Sequence, residues 1–245
     1  MVAIAFLIRL LLPLPFPIRQ EEYFNFSQFK ARFAVYESTV SQKSGSDSLF
    51  WYSFDDALVH FVNINTELFQ YGGADPAAQY AWLEADLAAV DRAVTPWVVV
   101  NGHKNAFMTQ TVFTKFDSLF RKYGVNLYVN GHAHNYQHIV PFNKDLATPD
   151  ACVKPGSSVY KGCAGYVNLV VGSPGNREIS SGPDTSRTAP KALMPFFSSN
   201  FGFGHLTANA TALHFQWEQV KAWNADAARF EKVAGAFMDE LWITL

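Results

Sequence analysis

Two stretches of this chain end in the same way. Val98-Val99-Val100-Asn101-Gly102-His103 closes one, and Leu127-Tyr128-Val129-Asn130-Gly131-His132 closes the other. Both are short apolar runs, the pattern of strands buried on both faces, and such strands belong to a sheet with a layer on either side. What lies between and before them fits that architecture. Asp75-Pro76 reads as an N-cap with proline at the first helical position, and Trp82, Leu83, Leu87 and Val90 follow at helical spacing over 76–93. Thr95-Pro96 breaks this helix. Val112, Phe116, Leu119, Phe120 and Tyr123 form a second stripe, and Gly124 is a natural stop. With Leu58–Ile64 as an earlier strand, the order β-α-β-α-β predicts parallel strands joined by crossover helices.

Beyond residue 139 the texture changes. Residues 143–162 and 172–195 are rich in Pro, Gly, Ser and Asp and read as long loops. Tyr166–Val171, Gly204–Ala208, Ala212–Glu218 and Leu241–Thr244 are strand candidates with no comparably strong helix between them, only a weaker helical pattern at about 222–237. An antiparallel sheet packed on the α/β unit is the expectation. The composition supports a filled core. Of 245 residues, 49% are hydrophobic and 16% charged, against roughly 25% charged in an average domain, which excludes disorder as the main state. The formal net charge is −2 and no Lys/Arg run occurs, so no nucleic-acid surface is expected.

Cys152 and Cys163 are the only cysteines. Their spacing suits one disulfide closing a short loop and does not suit a structural zinc site, which draws on four ligands. Asn25-Phe-Ser27 and Asn209-Ala-Thr211 are sequons that permit glycosylation of Asn25 and Asn209 in a secreted chain. Met1 to Leu12 is apolar except for Arg9, and Pro13, Pro15 and Pro17 follow. Arg9 splits the core that a signal peptide needs, and no small-residue cleavage site follows. The prolines interrupt the roughly 20 apolar residues of a membrane helix, so no stable membrane span is expected. Residues 1–22 therefore read as an atypical leader, either signal-like or a non-native start.

In α/β sheets, ligands bind beyond the carboxyl ends of parallel strands, which is where His103 and His132 are delivered. His134 follows in a His-x-His pattern, and in an extended segment it points to the same side as His132. Neutral imidazole is the commonest metal ligand, so the three form a candidate metal site. Read singly, each is equally a surface or hydrogen-bonded loop histidine. His60, His205 and His214 lie within strand candidates and read as packing residues.

At this point the wording becomes specific. Val100-Asn-Gly-His103 and Gly131-His-Ala-His134-Asn-Tyr136 resemble the last two of the five motif blocks of the calcineurin-like metallophosphatases. Phe50-Trp-Tyr-Ser-Phe54, Val59-His-Phe61, the segment Gln79 to Leu87, Thr95-Pro-Trp-Val98, Gly202-Phe-Gly204 and Trp217-Glu-Gln219 narrow the resemblance to purple acid phosphatases, in order from about residue 23 to 245. The resemblance implies an α/β fold, a metallophosphatase-type β-sandwich flanked by helices and lacking its N-terminal part, over 23–245. It implies phosphate monoester hydrolysis at acidic pH by Fe(III) paired with Zn, Mn or Fe(II) in a secreted, extracellular or vacuolar protein. It also admits a homodimer. By motif, His103 and His132 correspond to ligands of the divalent ion and His134 to a ligand of the ferric ion.

The departures carry as much weight. The family's first three blocks supply two aspartates, a tyrosine and an asparagine. No Gly-Asp dipeptide occurs in these 245 residues, and the one Gly-Asn, Gly175-Asn176, is followed by Arg177. Three neutral imidazoles cannot balance a ferric and a divalent ion, and hard Fe(III) prefers oxygen ligands. At most one weakly bound divalent metal is therefore expected, in a truncated chain inactive as it stands. Where the family continues Tyr-Glu-Arg, this chain reads Tyr136-Gln137-His138, which makes His138 a candidate substrate contact or a neutral surface histidine. A non-catalytic binding or scaffold protein and a single-zinc hydrolase on the three histidines are the alternatives.

Overall fold

The computed structural model describes residues 26–107, 115–173, 175, 189–224 and 229–245. The strands expected at the Asn-Gly-His repeats form as β3 (Trp97–Asn101) and β4 (Leu127–Asn130), preceded by the hairpin β1 (Tyr52–Asp56) and β2 (Val59–Asn63). β5 (Tyr136–Ile139), β7 (Val167–Val171) and β8 (Phe196–Ser198) complete a seven-stranded sheet of order β1-β2-β3-β4-β7-β5-β8. Strands β2, β3, β4 and β7 run parallel, and the antiparallel strands β1, β5 and β8 lie outside them.

A second sheet has the order β6-β11-β10-β9, from β6 (Val159–Lys161), β9 (Gly202–Ala208), β10 (Ala212–Asn224) and β11 (Arg229–Thr244). Strands β9, β10 and β11 are antiparallel as expected, and β6 joins β11 in parallel. The helical pattern at about 222–237 is overturned within the described residues: 229–237 lies in β11. Cross-strand pairing with β10, from Asn224↔Arg229 through Glu218↔Phe237, wins over a weak local period.

The parallel sheet has a different layer on each face. On one face lies α3 (Pro76–Ala89), which follows α1 (Ser27–Tyr36) and the single turn α2 (Leu68–Tyr71). Asp75 caps α3 by accepting a hydrogen bond from the Ala77 N–H at 2.9 Å, and Leu83 and Leu87 are buried, each contributing roughly 1.5–3 kcal/mol. The second expected helix is present as α4 (Asp117–Lys122), and residues 108–114 of that pattern lie outside the described residues. Phe120 packs on Tyr128 and Tyr166. On the other face lies the second sheet: Tyr136 stacks on Trp217, and the Trp97 indole donates to Asn209 O at 2.7 Å. Val98, Val100 and Leu127 are fully enclosed between the layers, as the two apolar runs require.

Candidate metal centre

β3 and β4 are parallel neighbours in the register Val99↔Leu127, Val100↔Tyr128, Asn101↔Val129. Asn101 and Asn130 thus end their strands at one edge, and the two loops that follow are bonded together. The Gly102 N–H donates to Val129 O at 3.0 Å, and both Gly131 N–H and His132 N–H donate to His103 O, at 3.2 and 2.9 Å. Gly102 is required by crowding: a Cβ there would lie 2.5 Å from the Tyr128 hydroxyl and 3.2 Å from Ile64 Cγ1. Gly172, just past β7, is required from the other side. Its N–H donates to Asn135 O at 3.0 Å, and a Cβ would run into the carbonyl oxygens of Ala133 and Gly131.

This frame brings two of the three candidate ligands into contact. His132 Nδ1 lies 2.6 Å from His103 Nε2, with the rings edge-on, 4.6 Å between centroids and 86° between planes. At that separation one ring N–H donates to the other nitrogen. Two nitrogens on one tetrahedral zinc, bound at about 2.05 Å each, sit about 3.3 Å apart, so a small outward rotation turns the shared-proton pair into a pair of ligands. Burial holds the His103 imidazole below its ordinary pKa; Glu67 opposes that shift, while Lys104 and His134 add to it.

His134 does not join the pair at ligand distance. The ring nitrogens of His103, His132 and His134 do not all fall within 4.8 Å of one another. The cause is local. Residues 132–135 are bent, not extended, and the Asn135 N–H donates back to Ala133 O at 2.8 Å, so the alternation of an extended segment is lost. No carboxylate completes a three-ligand cluster with these imidazoles among the described residues. This donor set does not fit a dinuclear centre containing Fe(III), which needs anionic oxygen ligands. The facing nitrogens of His103 and His132 fit one divalent ion.

The other candidates lie elsewhere. His138 is 1% exposed, inside the sandwich and not at the surface. With Nδ1 protonated it donates to Asp239, 2.9 Å away, and accepts from the Tyr160 hydroxyl at 2.9 Å. Its ring is not presented to a phosphate in solvent. Cys152 and Cys163 form a disulfide with Cα atoms 5.2 Å apart. Asp150 lies within ligand distance of both sulfurs, but its carboxylate accepts from the Cys152 and Gly165 N–H groups, so the cluster is a loop fastening. Asn209 is exposed in the β9–β10 turn, where its side-chain oxygen accepts from Thr211 and Ala212 N–H. Asn25 lies outside the described residues. His60 is tied to Asp55 and Asp86 at 2.6 and 3.0 Å.

The comparisons with known proteins agree with the wording of the motifs. Residues 165–231 match the family model described as iron/zinc purple acid phosphatase-like protein C. Acid phosphatase A of Cryphonectria parasitica is 30% identical over 214 residues, which is 72% of this chain and 42% of that protein. Human acid phosphatase type 7 is 27% identical over 256 residues, covering 93% of this chain and 51% of that protein. The structure of purple acid phosphatase PPD1 from yellow lupin (Lupinus luteus) seeds superposes with a TM-score of 0.59 at 25% identity, over 79% of this chain and 32% of that one. The chain spans between 39% and 51% of the length of the first curated relatives it matches. Among the described residues, no helix is long and apolar enough to cross a membrane.

Proposed function

Because this chain is a relative of the purple acid phosphatases, matching the C-terminal portion of that family, we propose that residues 23–245 are a partial metallophosphatase domain supplying the histidine half of a phosphate monoesterase site. The observation that carries this reading is the contact of His103 with His132 across the ends of two adjacent parallel strands. In this reading His103 Nε2 and His132 Nδ1 hold one divalent ion, and His134 lines the same edge. An ion held there supplies Lewis acidity toward a phosphoryl oxygen. The chain's own part is to fix the two imidazoles: His103 O holds the His132 backbone, and Gly172 holds the loop from below. The substrate class is phosphate monoesters. The disulfide suits an oxidising compartment, and with the exposed Asn209 it supports a secreted or vacuolar glycoprotein.

The donor set also bears on what 245 residues do alone. With no carboxylate clustered at the imidazoles among the described residues, this polypeptide is expected to hold at most one divalent ion and to turn over far below a dinuclear enzyme. A second reading has its own support. His132 Nδ1 and His103 Nε2 meet at 2.6 Å as a hydrogen-bonded pair, an arrangement that a non-catalytic binding or scaffold protein could also use. Metal analysis after dialysis against Zn2+, with p-nitrophenyl phosphate hydrolysis at about pH 5, separates these. One bound Zn2+ lost in His103→Ala and His132→Ala supports the first reading. No bound metal favours the second, and two tightly held ions with rapid turnover overturn both.

A further inference from the structure

The segment that leads into β1 borders a cavity of about 560 Å³, lined by Asp47, Leu49, Phe50 and Trp51, by Lys30 of α1, and by Ala78 in the first turn of α3. Small-molecule sites have volumes of roughly 300–1,000 Å³. The walls are fixed by the chain itself. The Trp82 indole on α3 donates to Ser44 O at 3.0 Å, the Ser46 N–H donates to Ser41 O at 3.0 Å, and the Phe50 N–H donates to Ser48 Oγ at 3.1 Å. The Phe29 ring lies nearly parallel to Phe50, 5.6 Å between centroids and 11° between planes, and Lys30 Nζ stands 5.6 Å from the Phe50 ring centre. Asp47 turns the chain at a φ of 47°, a left-handed conformation that aspartate tolerates. Three polar groups of this lining lack partners. Trp51 is 4% exposed, and its indole N–H meets no acceptor. Such a buried donor costs free energy, and buried polar groups are as a rule satisfied. Lys30 and Asp47 are exposed, and neither joins an ion pair among the described residues.

We propose that this cavity is a binding site for a small zwitterion with an apolar body, of the amino-acid class. The ligand carboxylate accepts from the Trp51 N–H and takes the Lys30 ammonium as its counter-ion. The ligand ammonium pairs with Asp47, and the apolar body lies against Leu49, Phe50 and Ala78. Each unpartnered group of the lining then gains a partner of the opposite kind, and one positive and one negative side chain match a ligand of zero net charge. A simple anion leaves Asp47 facing like charge, and a simple amine does the same to Lys30. A wholly apolar molecule leaves the indole N–H buried without an acceptor. Neither imidazole of the His103–His132 pair lines the cavity, so the site stands independently of the metal reading.

Isothermal titration of the full chain in EDTA tests this with phenylalanine, with phenylpropionate, which lacks the ammonium, and with phenethylamine, which lacks the carboxylate. The indole N–H proton resonance of Trp51, assigned by its loss in Trp51→Phe, reports on the donor. Phenylalanine is expected to bind with a Kd below about 1 mM and to move that resonance downfield. Each truncated ligand is expected to bind roughly tenfold more weakly. Lys30→Met should bring phenylalanine and phenethylamine within about twofold of one another, and Asp47→Asn should do the same for phenylalanine and phenylpropionate. Trp51→Phe should weaken phenylalanine and phenylpropionate roughly fivefold and leave phenethylamine unchanged. Ala78→Trp fills the cavity from an exposed position of α3 and should abolish binding of all three. Lys30, Asp47 and Ala78 are exposed, so these variants carry the test should Trp51→Phe fail to fold. A cavity that holds water alone binds no phenylalanine, and that result overturns the proposal. Binding that survives Ala78→Trp overturns it too, as do ligand preferences that Lys30→Met and Asp47→Asn leave unchanged.

Discussion

The indole of Trp217 lies almost flat on the phenol ring of Tyr136, 4.7 Å between centroids and 14° between planes. Tyr136 belongs to β5, two residues past His134, and Trp217 belongs to β10 of the second sheet. The Tyr136 hydroxyl donates to Asp239 Oδ2 on β11 at 2.6 Å. The strand that follows the histidine loop is therefore fastened to the second sheet by a stacked pair and a partly buried hydrogen bond. Trp217→Ala should cost about 3–5 kcal/mol, and Tyr136→Phe, which strips a donor from a partly buried carboxylate, about 1–3 kcal/mol. Urea denaturation measures both, and a loss under 1 kcal/mol for Trp217→Ala would show that the sheets are held elsewhere.

His60 makes stability depend on pH. Its ring bridges Asp55 on β1 and Asp86 on α3, and Asp86 also accepts from the Ser53 hydroxyl at 2.5 Å. Burial works against the imidazolium, but hydrogen bonds and attraction from Asp86 and then Asp55 outweigh it and raise its pKa above the ordinary 6.5. The folded chain then binds the proton more tightly than the unfolded chain. The stabilisation is complete below about pH 6.5 and is lost as pH rises through the higher folded value. Denaturation midpoints should fall between about pH 6 and pH 8.5, and the fall should be smaller in His60→Gln. Equal slopes in the two proteins contradict the assignment.

Gly172→Ala places a methyl group against two carbonyl oxygens of the 131–133 loop. Neither backbone atom can rotate away, so the loop must shift. The expected cost is about 1–3 kcal/mol, together with weaker binding of divalent ions, because the displaced loop carries His132. Isothermal titration with Zn2+ on the folded variant checks the second effect; unchanged affinity would mean that the loop absorbs the methyl without moving its imidazoles.

The disulfide closes a loop of sequence separation 11. In the chain-entropy account such a loop is worth about 3 kcal/mol. Replacing Cys152 and Cys163 together by serine should lower the thermal midpoint accordingly and leave divalent-ion affinity unchanged, because the loop fastening is separate from the histidine edge.

What could be read from the sequence follows the range of the interactions involved. β3 and β4 were legible because strands buried on both faces must be apolar at every position. The helix after Asp75 was legible from a cap and a local period. The convergence of His134 was not, because the Ala133–Asn135 turn breaks the alternation on which the expectation relied. Residues 229–237 form a strand because β10 pairs with them, a partner that their own spacing does not announce. Glu67 and Lys104 are far apart in sequence, and nothing in either neighbourhood marks them as the ion pair that they form. Tyr52-Ser-Phe54-Asp-Asp56 carried a usable signal for β1, with aromatic residues alternating with polar ones. His138 is interior because Asp239 and Tyr160 reach it from the second sheet.

The parallel pairing of β3 with β4 also has a kinetic side. No hairpin can form this pair; the chain must leave β3, make its crossover past α4 and return before Val99 meets Leu127. Such pairings form slowly, because loop closure precedes any gain from contact. The hairpin of β10 and β11 joins neighbours in sequence and can form without that closure. A collapsed chain can therefore hold much of its second sheet while His103 and His132 are still far apart. Competence to bind a cation would then be among the last properties to appear on refolding, and a metal-dependent signal would trail the recovery of secondary structure.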